Sequence, residues 1–343
     1  MKKKLLFIGS FLAEKKGTKG IAEKIKERFK DEYNIKLSSN KQNLFYRLYE
    51  IIRDTAFSKY EVVNIDVYSG KALTYAKIAL IIAKLRNKYV ITNLRGGKLY
   101  EIYNDFPKKL EFLKKSNKIV SPSLFLTEFF NSKGFNIKTL PNYIDNTNFP
   151  YKRENIKKHS LLWVRAFNDI YQPELAIKTI SILKQKYPDI HLTMIGPDKG
   201  FQKSSEELIE KLNLKDHISI LGKIPNEKLH KYFHNHQVYL NTTLYESFGS
   251  AILEAASCGI PIVSTNVGEI PYIWENNKDV LLCGSSEIEF ANAILKIFES
   301  NKFGKELSIN ARKKAEQFDW KNIKNKWINL IDEASNKKEK NVT

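Results

Sequence analysis

The sequence is poor in the residues and segments that mark several specialised protein classes. Cys258 and Cys283 are the two cysteines among 343 residues, so no disulfide framework is expected and a reducing compartment such as the cytoplasm is favoured. No apolar run reaches the roughly 18 residues that a membrane-spanning helix needs. The apolar run after Lys4 ends at Gly9, which is too short for a signal-peptide core and predicts a buried strand.

Two common nucleotide-binding motifs are also missing. There is no Gly-x-Gly-x-x-Gly fingerprint, which argues against an enzyme that binds a nicotinamide dinucleotide in the usual way. There is no Gly-x-x-x-x-Gly-Lys-Ser/Thr loop either, which argues against a P-loop NTPase. A nucleotide site in this chain therefore has to be built from other elements.

Positive charge is abundant and unevenly spread. The chain carries 57 Lys and Arg against 38 Asp and Glu, a net charge of +19. Residues 1–150 hold 29 basic and 14 acidic residues, a net charge of +15. The remaining residues include 28 basic and 24 acidic ones, a net charge of +4. Such a basic half attracts anionic lipid, nucleic acid or phosphorylated substrates. A solvated lysine-rich surface without a partner explains the same numbers equally well.

Short apolar runs alternate with amphipathic helical patterns along most of the chain. Strands are predicted at 4–9, 33–37, 61–67, 88–94, 119–123, 161–164, 190–196, 218–222, 238–241 and 260–264. Alternation of this kind is typical of an α/β fold with parallel, doubly wound sheets. The polar segment 143–160 has the composition of a linker. We therefore expect one domain over residues 1–150 and a second over residues 151–318.

The helix predicted at 248–257 carries the most informative chemistry. Ser247 is its expected N-cap and Gly259 its expected end. Gly249 and Ser250 in its first turn would let a phosphate approach exposed backbone N–H groups, and the helix dipole favours an anion there. Glu246 and Glu254 flank this turn, where carboxylates can bind sugar hydroxyls. A capped core helix with two solvated glutamates is the alternative.

The segment from Asn241 to Pro271 resembles the signature of family 4 glycosyltransferases. It has two glutamates separated by seven residues, then Cys-Gly-Ile-Pro, then Asn-Val-Gly-Glu-Ile-Pro. Pro-Asn-Tyr-Ile-Asp at 141–145 and Phe-Asp-Trp at 318–320 extend the resemblance over most of residues 118–335. The resemblance implies a GT-B fold of two facing Rossmann-like domains, and a helix at 319–335 that crosses back to the first domain. It also implies retention of anomeric configuration, no metal requirement and no other cofactor, which agrees with the absence of an Asp-x-Asp motif.

The resemblance also implies roles for individual residues. Glu246 matches the glutamate that contacts the donor sugar, and Glu254 the ligand of the ribose. Phe248, Gly249 and Ser250 match the backbone that meets the sugar and phosphates. Arg165, after the strand at 161–164, matches an arginine that neutralises the diphosphate, a role that suits a fixed cation because leaving-group charge grows in the transition state.

One position departs from the family pattern. A lysine usually follows that arginine by five or six residues, where this chain has Ile170 and Tyr171. The departure leaves open a non-catalytic relative that binds sugar nucleotides. A nucleic-acid-binding protein is a further alternative, but no aromatic-basic strand motif or recognition-helix pattern supports it.

Two segments of the first half are candidate parts of the site. Arg95, Gly96 and Gly97 follow a predicted strand, where the glycines permit close approach and the arginine could meet an anionic acceptor. An ordinary strand-end turn is the alternative. By the resemblance, the loop from Gly9 to Gly20 occupies the place where the family's first domain faces the donor. An ordinary surface loop is the alternative.

The sequence thus predicts a retaining enzyme that moves a hexose-type sugar from a nucleoside diphosphate sugar to a hydroxyl. The acceptor is expected to be a glycan or a lipid-linked molecule in cell-surface polysaccharide or glycolipid synthesis. We expect the chain to be cytoplasmic, with its basic half against the anionic inner face of the membrane. No nucleic-acid partner is expected.

Overall fold

The computed structural model describes residues 2–11 and 19–340, and the side chains of these except at 337–340. Most of the loop predicted to face the donor, residues 12–18, lies outside the described residues. Contacts divide the chain into two units, Met1–Asn142 with Ile323–Thr343, and Tyr143–Asn322. None of the described helices combines the length and the apolar character needed to cross a bilayer.

The first unit contains a six-stranded parallel sheet. Its strands are β1 (Lys3–Ile8), β2 (Tyr33–Ser38), β3 (Val62–Val67), β4 (Tyr89–Leu94), β5 (Lys118–Ser121) and β6 (Ile137–Thr139), in the order β2-β1-β3-β4-β5-β6. The helices are α1 (Ile21–Arg28), α2 (Leu44–Phe57), α3 (Lys71–Leu85), α4 (Leu99–Asp105) and α5 (Leu124–Ser132), with single 3-10 turns at Pro107–Lys109 and Glu111–Lys115. β3 and β4 are buried at every position, as expected of strands covered on both faces.

The last helix of the chain, α13 (Trp320–Lys340), supplies part of the first unit's core. Trp327 is 1% exposed and stacks on Phe7 of β1 with ring centroids 6.5 Å apart. Asp332 accepts hydrogen bonds from Lys3 and Tyr33, and burial together with this carboxylate raises the pKa of Tyr33 to about 12. The aromatic contact and these polar contacts hold α13 on β1 and β2.

The second unit contains its own six-stranded parallel sheet. Its strands are β7 (Ser160–Val164), β8 (His191–Ile195), β9 (Ile218–Ile220), β10 (Val238–Asn241), β11 (Ile262–Thr265) and β12 (Leu281–Cys283), in the order β12-β11-β10-β7-β8-β9. The helices are α6 (Pro173–Leu183), α7 (Gln202–Lys211), α8 (Leu229–Asn235), α9 (Ser250–Cys258), α10 (Ile270–Ile273), α11 (Glu287–Glu299) and α12 (Asn301–Glu316). Single 3-10 turns lie at Asp169–Tyr171 and Asn226–Lys228.

The strand order of the second sheet places a ligand crevice. Chain connections run outward in one direction from β7 to β9 and in the other from β10 to β12. Loops after β7 and β10 therefore leave the sheet toward opposite faces and open a crevice between them. Open parallel sheets bind ligands at such a switch point, outside the carboxyl ends of the strands. In this unit, the residues that follow Val164 and Asn241 therefore border the crevice.

The prediction of an α/β fold with two doubly wound parallel sheets is confirmed by the two sheets. The predicted boundaries of the helix after β10 are wrong, since α9 begins at Ser250 and its N-cap is Gly249 rather than Ser247. Gly249 has φ +87°, a left-handed conformation that glycine adopts without strain. The backbone N–H of Ser247 instead donates to the side chain of Glu246, so residue 247 belongs to the preceding turn.

Removing the indole of Trp327 should destabilise the first unit. Trp327→Ala leaves a cavity between α13 and β1, and large aromatic-to-alanine changes in a core cost about 3–5 kcal/mol. Urea unfolding followed by far-ultraviolet circular dichroism measures the loss. Lys326→Ala, at an exposed position of the same helix turn, should change the free energy of unfolding by less than about 0.5 kcal/mol. Equal effects of the two substitutions would contradict this role for Trp327.

Candidate functional site

Arg165 lies at the carboxyl end of β7, directly at the switch point of the second sheet. Its Nε and Nη2 donate to Oδ1 of Asn241, the last residue of β10, at 3.0 and 2.7 Å. Nη2 also donates to Oε2 of Glu246 at 2.8 Å. Burial by itself lowers the pKa of Arg165, but Glu246 and the neighbouring Tyr239 and Tyr171 together outweigh it, so that the pKa is raised. The guanidinium is therefore a fixed, permanent cation.

Nη1 of Arg165 is the part of this guanidinium that is left open. It donates to no residue among 2–11 and 19–340. The Arg165 side chain is 11% exposed and that of Glu246 12% exposed. A ligand at the carboxyl edge of the sheet can consequently meet two N–H donors on a cation whose position is already set.

Glu246 is held by the backbone as well as by Arg165. Its Oε1 accepts the N–H groups of Ser247 at 3.1 Å and Phe248 at 3.3 Å. Its own carbonyl oxygen accepts the N–H of Glu269 at 3.0 Å. Gly268 packs so closely here that a Cβ at this position would collide with the carbonyl oxygen of Glu246. The turn after β11 thus fixes the backbone of this residue.

The loop between β10 and Glu246 is locked by buried hydroxyls. Thr242 accepts from the indole N–H of Trp163 at 2.9 Å and donates to the carbonyl of Tyr171 at 2.6 Å. Thr265 donates to the carbonyl of Thr243 at 2.6 Å. Because it is costly to leave buried polar groups without their hydrogen bonds, the loop has one well-defined position. That position presents Glu246 to Arg165.

Tyr171 occupies one of the two positions where the family pattern has a lysine. Its ring lies 5.1 Å from the guanidinium carbon of Arg165, a cation–π distance. Burial raises the pKa of the Tyr171 hydroxyl. The segment that follows Arg165 therefore adds an aromatic face to the arginine where the family adds a second positive charge.

The N-terminus of α9 is open. No side chain among the described residues caps this helix. The N–H groups of Ile252 and Leu253 donate to the carbonyl of Gly249, whereas those of Gly249, Ser250 and Ala251 donate to no residue that the structure describes. Helix N-termini with unsatisfied N–H groups bind anions through these groups and the helix dipole. The ring of Phe248 is buried and packs in the core instead.

Glu254 lies one turn further along α9. It is half-buried, and its Oε1 accepts from the side-chain amide of Asn226 at 3.1 Å. Because Glu254 and Ser250 are four residues apart, both lie on the same face of the helix. The structure thus brings Arg165 together with Glu246, and Glu254 together with the α9 N-terminus, in the second unit.

Arg95 lies at the carboxyl end of β4 in the first unit and is already engaged. Its Nε donates to Asp66 at 2.7 Å and its Nη1 to Oδ1 of Asn142 at 2.8 Å. Burial by itself lowers the pKa of Arg95, but Asp66 and Tyr68 together outweigh it, so that the pKa is raised. Gly96 is close-packed, since a Cβ there would lie 3.1 Å from the backbone N of Ser69. The acceptor role of Arg95, Gly96 and Gly97 stays a prediction.

Asn241 and Gly268 are contributors that sequence reasoning missed. Both lie inside the family signature, but neither was given a role. Asn241 bridges Arg165 and Ser264, to which its Nδ2 donates at 2.9 Å. An asparagine at the end of an otherwise apolar strand is the signal that could have identified it, because strand ends at a switch point hold ligand-site residues. Within the described ranges, no group of three or more His, Cys, Asp or Glu could hold a metal ion.

Comparison with known proteins assigns the second unit to a family. Residues 145–314 match the family model described as glycosyl transferases group 1. The chain belongs to the group 1 glycosyltransferases. The matched range contains Arg165, Asn241, Glu246 and Glu254, and so covers the whole site described above.

Curated relatives share part of this glycosyltransferase sequence. One subunit of the phosphatidylinositol N-acetylglucosaminyltransferase of Homo sapiens is 34% identical over 155 residues, 44% of this chain and 31% of that protein. D-inositol 3-phosphate glycosyltransferase of Paenarthrobacter aurescens is 28% identical over 152 residues, 43% of this chain and 37% of that protein. The matches therefore span about a third of the length of these relatives.

Solved structures match almost the whole glycosyltransferase chain. Sucrose-phosphate synthase from Thermosynechococcus elongatus has a TM-score of 0.81 at 15% identity and covers 97% of this chain and 99% of its own. HepE of Anabaena, solved with UDP and glucose, has a TM-score of 0.76 at 16% identity and covers 96% of this chain and 100% of its own. These matches, together with the two parallel sheets, confirm the GT-B fold.

Gly268→Ala should weaken the site without unfolding the protein. The new methyl group collides with the Glu246 carbonyl, so Glu246 has to move away from Arg165. Gly134→Ala is the matched control, because Gly134 also has a positive φ, +77°, but has open space around it. Titration calorimetry with pyrophosphate, an anion suited to Arg165 and the open N-terminus of α9, should show an affinity about tenfold or more lower for Gly268→Ala, and no such loss for Gly134→Ala. Equal losses in both variants would mean that backbone strain, not the collision, is responsible.

Proposed function

We propose that this chain transfers a sugar from a nucleoside diphosphate sugar to a hydroxyl acceptor with retention of configuration. The observation that carries the proposal is the meeting of Arg165, Asn241 and Glu246 at the carboxyl edge of the second sheet, beside the open N-terminus of α9. A fixed cation, a held carboxylate and free N–H donors are what a charged, hydroxylated donor needs. Family membership supports the same reaction class.

In this proposal Arg165 and α9 hold the diphosphate. Nη1 of Arg165 and the N–H groups of Gly249, Ser250 and Ala251 are open donors. Negative charge builds on the leaving phosphate as its bond to the sugar breaks, so donors fixed before the reaction stabilise the transition state more than the ground state. The acceptor hydroxyl would give its proton to that leaving phosphate, so the reaction needs no separate base.

The two glutamates would each bind a different part of the donor. Glu246, held by Arg165 and by two backbone N–H groups, would accept hydrogen bonds from sugar hydroxyls. Glu254, one turn into α9, would accept those of the ribose. Tyr171 would limit the movement of the Arg165 guanidinium. We propose that this rigidity offsets the lysine missing from the family pattern, and that the chain is an active enzyme without a metal.

We further propose that the acceptor is a glycan or a lipid-linked molecule at an anionic membrane surface. The name of the human relative includes the lipid phosphatidylinositol. The outer face of α2 supports a membrane location, since Phe45 is 85%, Tyr46 67% and Tyr49 62% exposed. Aromatic side chains beside basic ones suit the interface of an anionic bilayer, and residues 1–150 carry a net charge of +15. Synthesis of a cell-surface polysaccharide or glycolipid fits such a location.

A panel of UDP- and GDP-sugars tests the donor site directly. Release of nucleoside diphosphate is measured for the unaltered chain and for Arg165→Gln and Glu246→Ala. Each substitution should lower kcat by at least about a hundredfold, the scale seen when one preorganised donor is removed from an active site. Glu306→Ala, at an exposed position on α12, should leave kcat unchanged.

Three outcomes would contradict the proposal when donor binding and nucleic-acid binding are measured beside that panel. Undiminished turnover in Glu246→Ala would remove the assigned role of this residue. Donor binding without turnover on any acceptor would identify a non-catalytic relative. Absence of donor binding, with tight and steeply salt-dependent binding to nucleic acid, would favour the nucleic-acid alternative.

The membrane surface has its own test. The full chain is sedimented with vesicles of phosphatidylcholine alone and with vesicles of phosphatidylcholine and phosphatidylserine. Binding should need the anionic lipid, weaken with salt, and fall at least about tenfold in the double variant Phe45→Ser/Tyr49→Ser. Ile288→Ser, which replaces an exposed apolar residue of the second unit, is the matched control. Equal binding to both vesicle types would defeat the membrane proposal.

A further inference from the structure

A pocket lies at the edge of the second unit's sheet that is opposite to the proposed donor site. It has a volume of about 450 Å³ and is lined in part by residues at the starts of three parallel strands: Lys158 two positions before β7, Gln237 directly before β10 and Pro261 directly before β11. The pocket is therefore at the amino edge, whereas Arg165 and Glu246 follow the carboxyl ends of β7 and β10. Four or five strand residues separate the two edges, about 15 Å at 3.3 Å per residue.

Three cations line this pocket and none of its lining residues is acidic. The cations are Arg153, Lys158 and Lys305. Arg153 donates from Nη1 to the carbonyl oxygens of Phe233 at 3.0 Å and His236 at 2.9 Å, and forms no ion pair with a described carboxylate. Burial lowers the pKa of Arg153 to about 10, so the group keeps its charge near neutral pH. The carbonyl contacts hold it in position without neutralising it.

The two lysines are likewise unneutralised. The side-chain ammonium groups of Lys158 and Lys305 make no hydrogen bond or ion pair with any residue that the structure describes. Asp189, which lies within electrostatic reach of Lys158, is hydrogen bonded to His159 at 2.8 Å. Three like charges around one hollow repel each other, and this repulsion is relieved when an anion enters.

Another lysine-lined hollow shows what a merely basic surface looks like in this chain. It lies at the start of β5 in the first unit and includes Lys114 and Lys118. There two of the three lining lysines are ion-paired, Lys114 with Glu111 at 2.8 Å and Lys118 with Glu333 at 2.9 Å, whereas Lys138 has no ion pair with a described residue. The pocket at residues 153, 158 and 305 differs because its cations have no such partners.

Helix and apolar groups complete the pocket. Asn301 and Gly304, in the first turn of the 16-residue helix α12, line one side, and that turn carries no acidic residue. The positive end of its dipole therefore adds to the three cations. Ile156, Pro261 and Ile297 supply apolar lining. A ligand matched to this pocket has one anionic end and one apolar end.

We propose that this pocket binds a small organic phosphate, with the phosphate on Arg153, Lys158 and Lys305 and the carbon portion on Ile156, Pro261 and Ile297. It is a site separate from the donor site and does not depend on the proposed transfer reaction. The charge of the lining selects the phosphate, and the apolar side chains select its substituent. Soluble phosphate esters and the phosphate of a lipid share this chemistry.

Phenyl phosphate is a suitable probe for the full chain. Titration calorimetry should show saturable binding that is at least about tenfold tighter than that of inorganic phosphate or phenol. Lys158→Gln/Lys305→Gln should weaken it at least about tenfold, since hydrogen bonds to charged groups contribute on this scale. Lys302→Gln, an exposed residue of the same α12 turn that does not line the pocket, should have no effect.

Two further arms separate this pocket from the donor site and from lipid. Arg165→Gln should abolish tight UDP binding and leave phenyl phosphate binding intact; loss of both would place the probe in the donor site and overturn the proposal. Vesicles containing phosphatidic acid that bind the unaltered chain but not the double lysine variant would identify a lipid phosphate as the source. Equal phenyl phosphate affinity in the unaltered chain and the folded double variant would also overturn it.

Discussion

The ion pair between Arg165 and Glu246 is the interaction on which the rest of the donor site depends. A largely buried pair of this kind gives little net stability, because desolvation of both charges offsets their attraction. The pair instead holds the two side chains in defined positions. Asn241 fixes the arginine, two backbone N–H groups fix the glutamate, and the close packing at Gly268 fixes the turn that carries it. The pair joins the two sides of the crevice after β7 and β10.

The first unit contains a similar arginine–carboxylate pair, in which the guanidinium is less exposed. Arg95 follows β4 as Arg165 follows β7, and it too pairs with a carboxylate from the neighbouring strand, Asp66. There, however, Nη1 of the guanidinium is taken by Asn142 and the side chain is 5% exposed. Arg165 keeps Nη1 open toward the strand ends. The same local chemistry thus occurs in both sheets, and the two arginines differ in how much of the guanidinium is engaged by described residues.

Much of this architecture could be predicted, because parallel strands buried on both faces produce apolar runs and their helices produce a 3.6-residue period. The three-residue strands β6 and β12 are absent from the prediction, since so short a segment has no measurable period. The equally short β9 is predicted because an apolar run that ends at Gly222 surrounds it. The start of α9 was placed too early because Ser247 has the chemistry of a cap, whereas the conformation of Gly249 decides the start. Neither the bridging by Asn241 nor the engagement of Arg95 could be inferred, as both depend on contacts between residues 47 to 76 positions apart.

In our proposal, the N-terminus of α9 and Arg165 together bind the donor diphosphate. Hydrogen–deuterium exchange of the full chain with and without UDP tests it most directly, because the open N–H groups of Gly249, Ser250 and Ala251 should exchange fast alone and slowly when a phosphate accepts their hydrogen bonds. The account predicts protection centred on the peptide that contains these residues, and its loss in Arg165→Gln. Protection confined to other segments, or none at saturating UDP, would contradict it.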